Sequence, residues 1–373
     1  MYMKPICGDQ VLGSLPHNAI ASWQALQHVS FSVRAGHAFC HFGALPGGWI
    51  RSQVGSPFPI LSEDGGAFPT WQPYSQDCQL KPLLGPYLQA AAHPGEESIP
   101  VVRPVNVLLL GDSIDFRVAR HLCNISKHEE HLEKFTDDPI GQEHNMTGIC
   151  RTPKLIVAKQ HISSASLEGP YWWNMNFPPL NSITTGLKAF QADEGVLPDI
   201  VSFATNYWDI AALFEAGGFK FEGTPLEHQV LPEEWLRDWT ANLTTILSYL
   251  KDSVPENTLL IYHTLHIPQQ VDKPDKWESD RYLYPHVAQL NAAGRHVARQ
   301  LSFHILDMEA MALQLPKEAM MADITHPGAG FLMQVLNMML NMEKEHTAAL
   351  DGGAGSGPQW QRQRITGRGW FRG

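Results

Sequence analysis

Five short apolar runs, spaced so that a helix fits between one and the next, constrain the fold of this chain more than any other feature. Residues 105–110 (VNVLLL) form the first, and 155–158, 200–204, 258–262 and 303–306 the others. A short, continuous apolar run bounded by turn signals reads as a strand buried on both faces. Helix-compatible stretches lie at 114–123, 184–192, 233–250, 285–301 and 330–342. The clearest places Trp235, Trp239, Leu243, Ile246, Leu247 and Leu250 on one helical face. Strands alternating with helices predict an α/β domain whose parallel sheet is covered by helices on both faces.

Length and texture set the organisation. The chain has 373 residues, enough for one large α/β domain with extensions. Residues 1–100 are rich in Pro, Gly, Ser and aromatics without a sustained helical period, and read as an irregular N-terminal extension laid over the main domain through Trp23, Trp49 and Trp71. Residues 101–346 form the α/β domain. Residues 347–373, Gly-rich and then carrying Arg362, Arg364, Arg368 and Arg372, read as a disordered, solvated tail.

Charge and composition narrow the partners. The net charge is −11, from 27 Lys+Arg against 38 Asp+Glu, which repels phosphate backbones and argues against nucleic acid. No apolar run is long enough for a transmembrane helix. No signal peptide is readable at the start. Three sequons, at Asn124, Asn145 and Asn242, and a pairing of Cys123 with Cys150 across a polar insertion favour the secretory pathway or the exterior. Five cysteines without a CxxC exclude a zinc knuckle, and His128-Glu129-Glu130-His131 reads as a solvated loop, so neither metal nor cofactor is expected. The oligomeric state is not legible.

Chemistry belongs at the carboxyl ends of parallel strands. After the first run stands Gly111-Asp112-Ser113, a sharp strand-to-helix turn that exposes a serine at the positive end of a helix. Asp112 or Ser113 equally suits a helix cap. Late in the chain, Asp323-Ile-Thr-His326 precedes another helix, a spacing that lets a carboxylate orient an imidazole toward a serine. Asn206 and Trp208 follow the third run, and Gly169 follows the second; Gly186 is a rival to Gly169 as a backbone N–H donor. His263 and His266, after the fourth run, are alternatives to His326 as the base. Tyr171, Trp172, Trp173 and Trp208 are candidate crevice walls.

In this order, these pieces resemble the SGNH/GDSL hydrolase superfamily, and its PC-esterase-like branch of algal, plant and fungal type, in which Trp208-Asp209 has a counterpart. The resemblance spans about residues 101–342. It implies a three-layer α/β/α sandwich with a five-stranded parallel sheet of flavodoxin type, and a serine esterase mechanism. Ser113 would be the nucleophile, His326 the base and Asp323 its orienting carboxylate. Gly169 and Asn206 would join the Ser113 N–H as oxyanion donors, with Asp112 and Trp208 beside the substrate. The chain departs from the family pattern at Ala204 and Tyr207, around Asn206. The expected activity is hydrolysis or transfer of an ester on a small molecule or a glycan, an O-acetyl group above all. The alternatives are an inactive glycan-binding protein on the same fold and a lipid esterase, the latter requiring a broad apolar rim.

Overall fold

The computed structural model describes residues 40–50, 69–92, 103–126, 147–162, 164–168, 178–204, 207–215, 230–266, 284–315, 322 and 325–356. Two short strands, β1 (Gly47–Ile50) and β2 (Thr70–Pro73), come first, then helix α1 (Leu84–Ala92). The domain proper continues with β3 (Val105–Gly111), α2 (Ser113–Ile125), β4 (Gly148–Arg151), β5 (Leu155–His161), α3 (Pro179–Glu194), β6 (Ile200–Ala204), α4 (Tyr207–Glu215) and α5 (Glu233–Asp252). It ends with β7 (Leu259–His263), α6 (Tyr284–Gln300), β8 (His304–Leu306), α7 (Met308–Ala312) and α8 (Ala329–Ser356).

All five apolar runs are parallel neighbours in one sheet. Its order is β4-β5-β3-β6-β7-β8, with β4 antiparallel to β5 at one edge. The five parallel strands therefore follow the doubly wound, flavodoxin-like order, which reverses direction after β3. Right-handed crossovers then send the helix after β3 to one face and those after β5, β6 and β7 to the other. Packing agrees: α2 lies against α8, while α5 contacts both α3 and α6. The result is an α/β fold with helices on both faces of a mostly parallel sheet.

The five parallel strands are those expected; among the described residues a sixth, antiparallel strand joins them because Ile149 and Cys150 bring a short apolar segment back to the β5 edge, where both are fully buried. A disulfide joins Cys150 to Cys123 on α2, the pairing expected from the sequence. A second disulfide, Cys40–Cys78, was not foreseen.

Residues 40–50 and 69–92 are more regular than their composition implies. Trp71 is 2% exposed, and Trp49 packs edge-on against it while its indole N–H donates to the Met311 carbonyl at 2.8 Å. Trp23 lies outside the described residues. Helix α1 escaped the periodicity reading because Gly85 and Pro86 open it, although proline is well tolerated in a first turn. Asn337 and Asn341 of α8 accept from the Leu84 and Lys81 N–H groups at 3.1 and 2.9 Å, tying α1 down. Gly43 sits against the outer edge of β8, where its carbonyl accepts from Asp307 N at 2.8 Å. A Cβ there would lie 2.1 Å from the Ile305 carbonyl oxygen. At the other end, α8 continues to Ser356, past the point where the composition turns glycine-rich, through the helix formers Ala348, Ala349 and Leu350.

Candidate active site

The strand-order reversal opens a crevice between the carboxyl ends of β3 and β6. Ser113 is the first residue of α2 there, directly after the β3 strand ends at Gly111. Its N–H is one of the unpaired donors at the positive end of that helix. The turn is sharp because Asp112 caps the helix: its Oδ1 accepts from Ile114 N at 2.9 Å. Expected beside the substrate, Asp112 is instead 3% exposed, turned onto the helix end. Its pKa is pushed up to about 6, mainly by burial and then by the Asp115 charge, against the pull of Ile114 N–H, Lys159 and His326.

Ser113 Oγ lies 2.8 Å from Nε2 of His326. Two segments 213 residues apart thus place a hydroxyl and an imidazole within hydrogen-bond reach. With Nδ1 protonated, the serine O–H donates to Nε2. The imidazole at Ser113 belongs to His326, and the rival histidines have other tasks. His266 Nε2 donates to the Thr325 carbonyl at 2.8 Å, one residue before His326, while the Tyr207 hydroxyl donates to the His266 carbonyl. The Ala322 N–H closes the same turn on the His326 carbonyl at 2.9 Å.

The loop carrying His266 is itself held. Leu265 exchanges hydrogen bonds with the Asn291 amide at 2.8 Å, and Thr264 Oγ1 donates to Asp307 Oδ1 at 3.2 Å. Arg295 bridges Asp307 and Glu309 at 3.1 and 2.8 Å.

His263 faces inward. Its Nε2 lies 3.1 Å from Asp115 Oδ1, in a pair buried on both sides. Burial alone would lower the His263 pKa, but the Asp115 charge and hydrogen bond, the Thr264 carbonyl and Asp112 outweigh it and raise the value. The other Asp115 oxygen lies against Gly111, where an added Cβ would come within 1.8 Å of it. Glycine at 111 is thus required by the carboxylate four residues later. Lys159, fully buried on β5, reaches His161 Nδ1 of the same strand at 3.2 Å.

Asp209 connects two loops of the same sheet edge. It is 3% exposed, accepts from Ala165 N at 2.9 Å and takes the Ser164 hydroxyl hydrogen bond. Trp208 beside it is partly buried against the core. Gly186 lies inside α3, where a Cβ would meet the Gln160 side chain at 2.9 Å. It allows the helix to sit close on the sheet, and its mid-helix N–H is no crevice donor. Gly169, Asn206, Asp323, Tyr171, Trp172, Trp173, Asn145 and the His128–His131 cluster lie outside the described residues. Among the described residues no group of three or more His, Cys, Asp or Glu is arranged to hold a metal ion, and no helix is long and apolar enough to cross a membrane.

No protein-family model matches the chain, and no curated protein is significantly similar to it. Solved structures do align with it at low similarity. A protein assigned as a GDSL-like lipase from Parabacteroides merdae aligns at 14% identity and TM-score 0.36, over 66% of this chain and 98% of its own. A catalytic mutant of an acetylxylan esterase from Geobacillus stearothermophilus aligns at 13% and 0.32, over 65% and 95%. A lipase/acylhydrolase from Enterococcus faecalis aligns at 14% and 0.32, over 65% and 96%. Likeness this slight assigns no activity, and the functional reading rests on the chain's own geometry.

Proposed function

We infer that the chain is a serine esterase or O-acyltransferase of SGNH type, acting on ester bonds of a small molecule or glycan. The observation that carries the reading is the 2.8 Å contact between Ser113 Oγ and His326 Nε2, placed at the positive end of α2 and in the crevice of the switch point. In the proposed cycle, His326 Nε2 takes the Ser113 proton as Oγ bonds to the ester carbonyl carbon. The carbonyl oxygen becomes an oxyanion beside the Ser113 N–H. Collapse breaks the bond to the alcohol, which leaves with the proton returned by His326. Water or a second alcohol then attacks the acyl-enzyme through the same base, giving hydrolysis or transfer.

Asp323 is assigned the orienting role at His326, and Gly169 and Asn206 complete the oxyanion site. Oxidising conditions suit the two disulfides, and Asn124 is exposed on α2, which supports a secreted or luminal glycoprotein. The test is labelling by a fluorophosphonate probe together with p-nitrophenyl acetate turnover. Wild type should label and turn over, and Ser113→Ala and His326→Ala, still folded, should each lose about 10³-fold or more. A folded wild type that neither labels nor turns over overturns the reading in favour of a binding protein.

A further inference from the structure

The three residues after β7 are each held by a different element. Thr264 Oγ1 donates to Asp307 Oδ1 at 3.2 Å and accepts from Glu309 N at 3.1 Å, at the start of α7. Leu265 exchanges two 2.8 Å hydrogen bonds with the amide of Asn291 on α6, whose nitrogen also reaches Glu309 Oε2 at 3.2 Å. The His266 carbonyl accepts from the hydroxyl of Tyr207, the first residue of α4, and the two rings meet edge-to-face with centroids 5.5 Å apart. Thr264, His266 and Asn291 are fully buried and Tyr207 is 2% exposed. Hydrogen bonds shielded from water in this way are stronger than exposed ones.

This post bears on the base through one bond. His266 Nε2 lies 2.8 Å from the Thr325 carbonyl, and because a carbonyl only accepts, Nε2 carries a proton and donates it. The Thr325 carbonyl shares a rigid peptide plane with the His326 nitrogen, so fixing its direction fixes where the His326 Cα starts. On the other side, Ala322 N donates to the His326 carbonyl at 2.9 Å. The base is therefore clamped at both of its peptide groups, and its Nε2 arrives 2.8 Å from Ser113 Oγ. Tyr207 is one of the two positions at which the chain departs from the pattern of the family it resembles, and here it anchors His266.

We propose that His266 is a positioning residue for the base and that Tyr207 acts through it, the pair aiming the His326 imidazole at Ser113 without touching substrate. The proposal rests on the esterase reading for the reaction and on the observed bonds for the brace. Misplacing a reacting group by about 1 Å can cost about 10²-fold in rate. Loss of the brace should therefore appear in kcat and leave KM nearly as it was.

The test separates brace from reaction. Full-length variants, checked for folding by circular dichroism, are compared in p-nitrophenyl acetate turnover, fluorophosphonate labelling and hydrogen exchange of peptides covering residues 322–328. Asn and Gln carry the same amide, but only Gln reaches the place of Nε2. His266→Asn should lower kcat and the labelling rate about 100-fold, hold KM within about twofold and quicken exchange across 322–328 about tenfold. His266→Gln should recover at least about tenfold of the kcat loss and restore slow exchange. Tyr207→Phe, which keeps the ring and loses only the hydroxyl, should lower kcat about tenfold, and adding it to His266→Asn should cost little more. This mild variant decides even where His266→Asn does not fold. Equal kcat losses in His266→Asn and His266→Gln overturn the proposal, as does a rise in KM with kcat unchanged, or wild-type kcat and exchange in Tyr207→Phe. A wild type inert toward both probe and ester, with the exchange differences as expected, supports the brace and overturns only the esterase reading.

Discussion

Asp115 and His263 form a buried pair, 3.1 Å apart, that joins the first turn of α2 to the end of β7 directly beneath the Ser113 turn. Each residue is held from both sides. Asp115 presses its second oxygen against Gly111, and His263 turns Nδ1 toward the Thr264 carbonyl at 3.4 Å. The helix whose positive end would face an oxyanion is thereby fixed to the strand whose loop positions the His326 turn.

Asp115→Asn should cost about 3–5 kcal/mol, the usual penalty for stripping one partner from a buried pair. Urea unfolding checks this, with His263→Asn and the double variant completing a cycle in which the two losses are far from additive. The raised pKa of His263 means that its contribution is fully present below its unfolded value of 6.5 and is lost as pH rises through the higher folded value. Wild type should therefore lose more stability than His263→Asn on moving from pH 6.5 to alkaline pH. Parallel curves would sink the assignment.

Gly111→Ala would force a methyl onto the Asp115 carboxylate, and about 1–3 kcal/mol of overpacking is expected. Combined with Asp115→Ala, which frees the space, the alanine at 111 should add little further destabilisation. If it costs as much in both backgrounds, strain at 111 has another origin.

Acid stability should be set partly by histidines buried in the neutral form. His304 is depressed to about 4 by burial and then by His346 and His41, and His121 to about 4 by burial, Arg117 and Arg120. Stability from such groups is complete above pH 6.5 and lost as pH falls toward 4. Asp112 works in the opposite sense: held up to about 6, its contribution is present below 3.8 and lost as pH rises through 6. His304→Phe should flatten the fall in stability between pH 6.5 and 4 by about one proton's worth of slope. An unchanged slope in pH-dependent urea melts would refute the linkage.

Each disulfide closes a sizeable loop, with 38 residues separating Cys40 from Cys78 and 27 separating Cys123 from Cys150. Chain-entropy arguments give about 3–4 kcal/mol for either. Cys123→Ala/Cys150→Ala should lower stability by that order without changing the Ser113 labelling rate per folded molecule. Free-thiol titration of the denatured, unreduced wild type should find only Cys7; recovery of two more thiols would contradict one bridge, and of all four others both.

The parallel strands and long helices were legible because burial on both faces leaves continuous apolar runs and amphipathic helices keep a 3.6-residue period. The antiparallel β4, only four residues inside a polar insertion, carries too little pattern to declare itself. Helix α4 is absent from the helix-compatible stretches because it is only nine residues long and follows the third apolar run almost directly; Asp209 sits in its first turn, where a carboxylate is favoured. The approach of Ser113 to His326 was expected from their chain order. The partners Asp115–His263 and His266–Thr325 were not, because nothing in local spacing relates residues 148 or 59 positions apart. Gly111 and Asp115 held a readable clue, a glycine whose side a later carboxylate occupies.

The contact of Gly43 with the rim of β8 bears on how the protein survives in concentrated solution. A three-residue terminal strand with its outer backbone crowded by another segment offers little template for a second molecule to extend the sheet. Removing everything before residue 101 would strip that guard away. Such a shortened chain would be exposed to edge-to-edge association at β8, because the stretch around Gly43 is what crowds that edge.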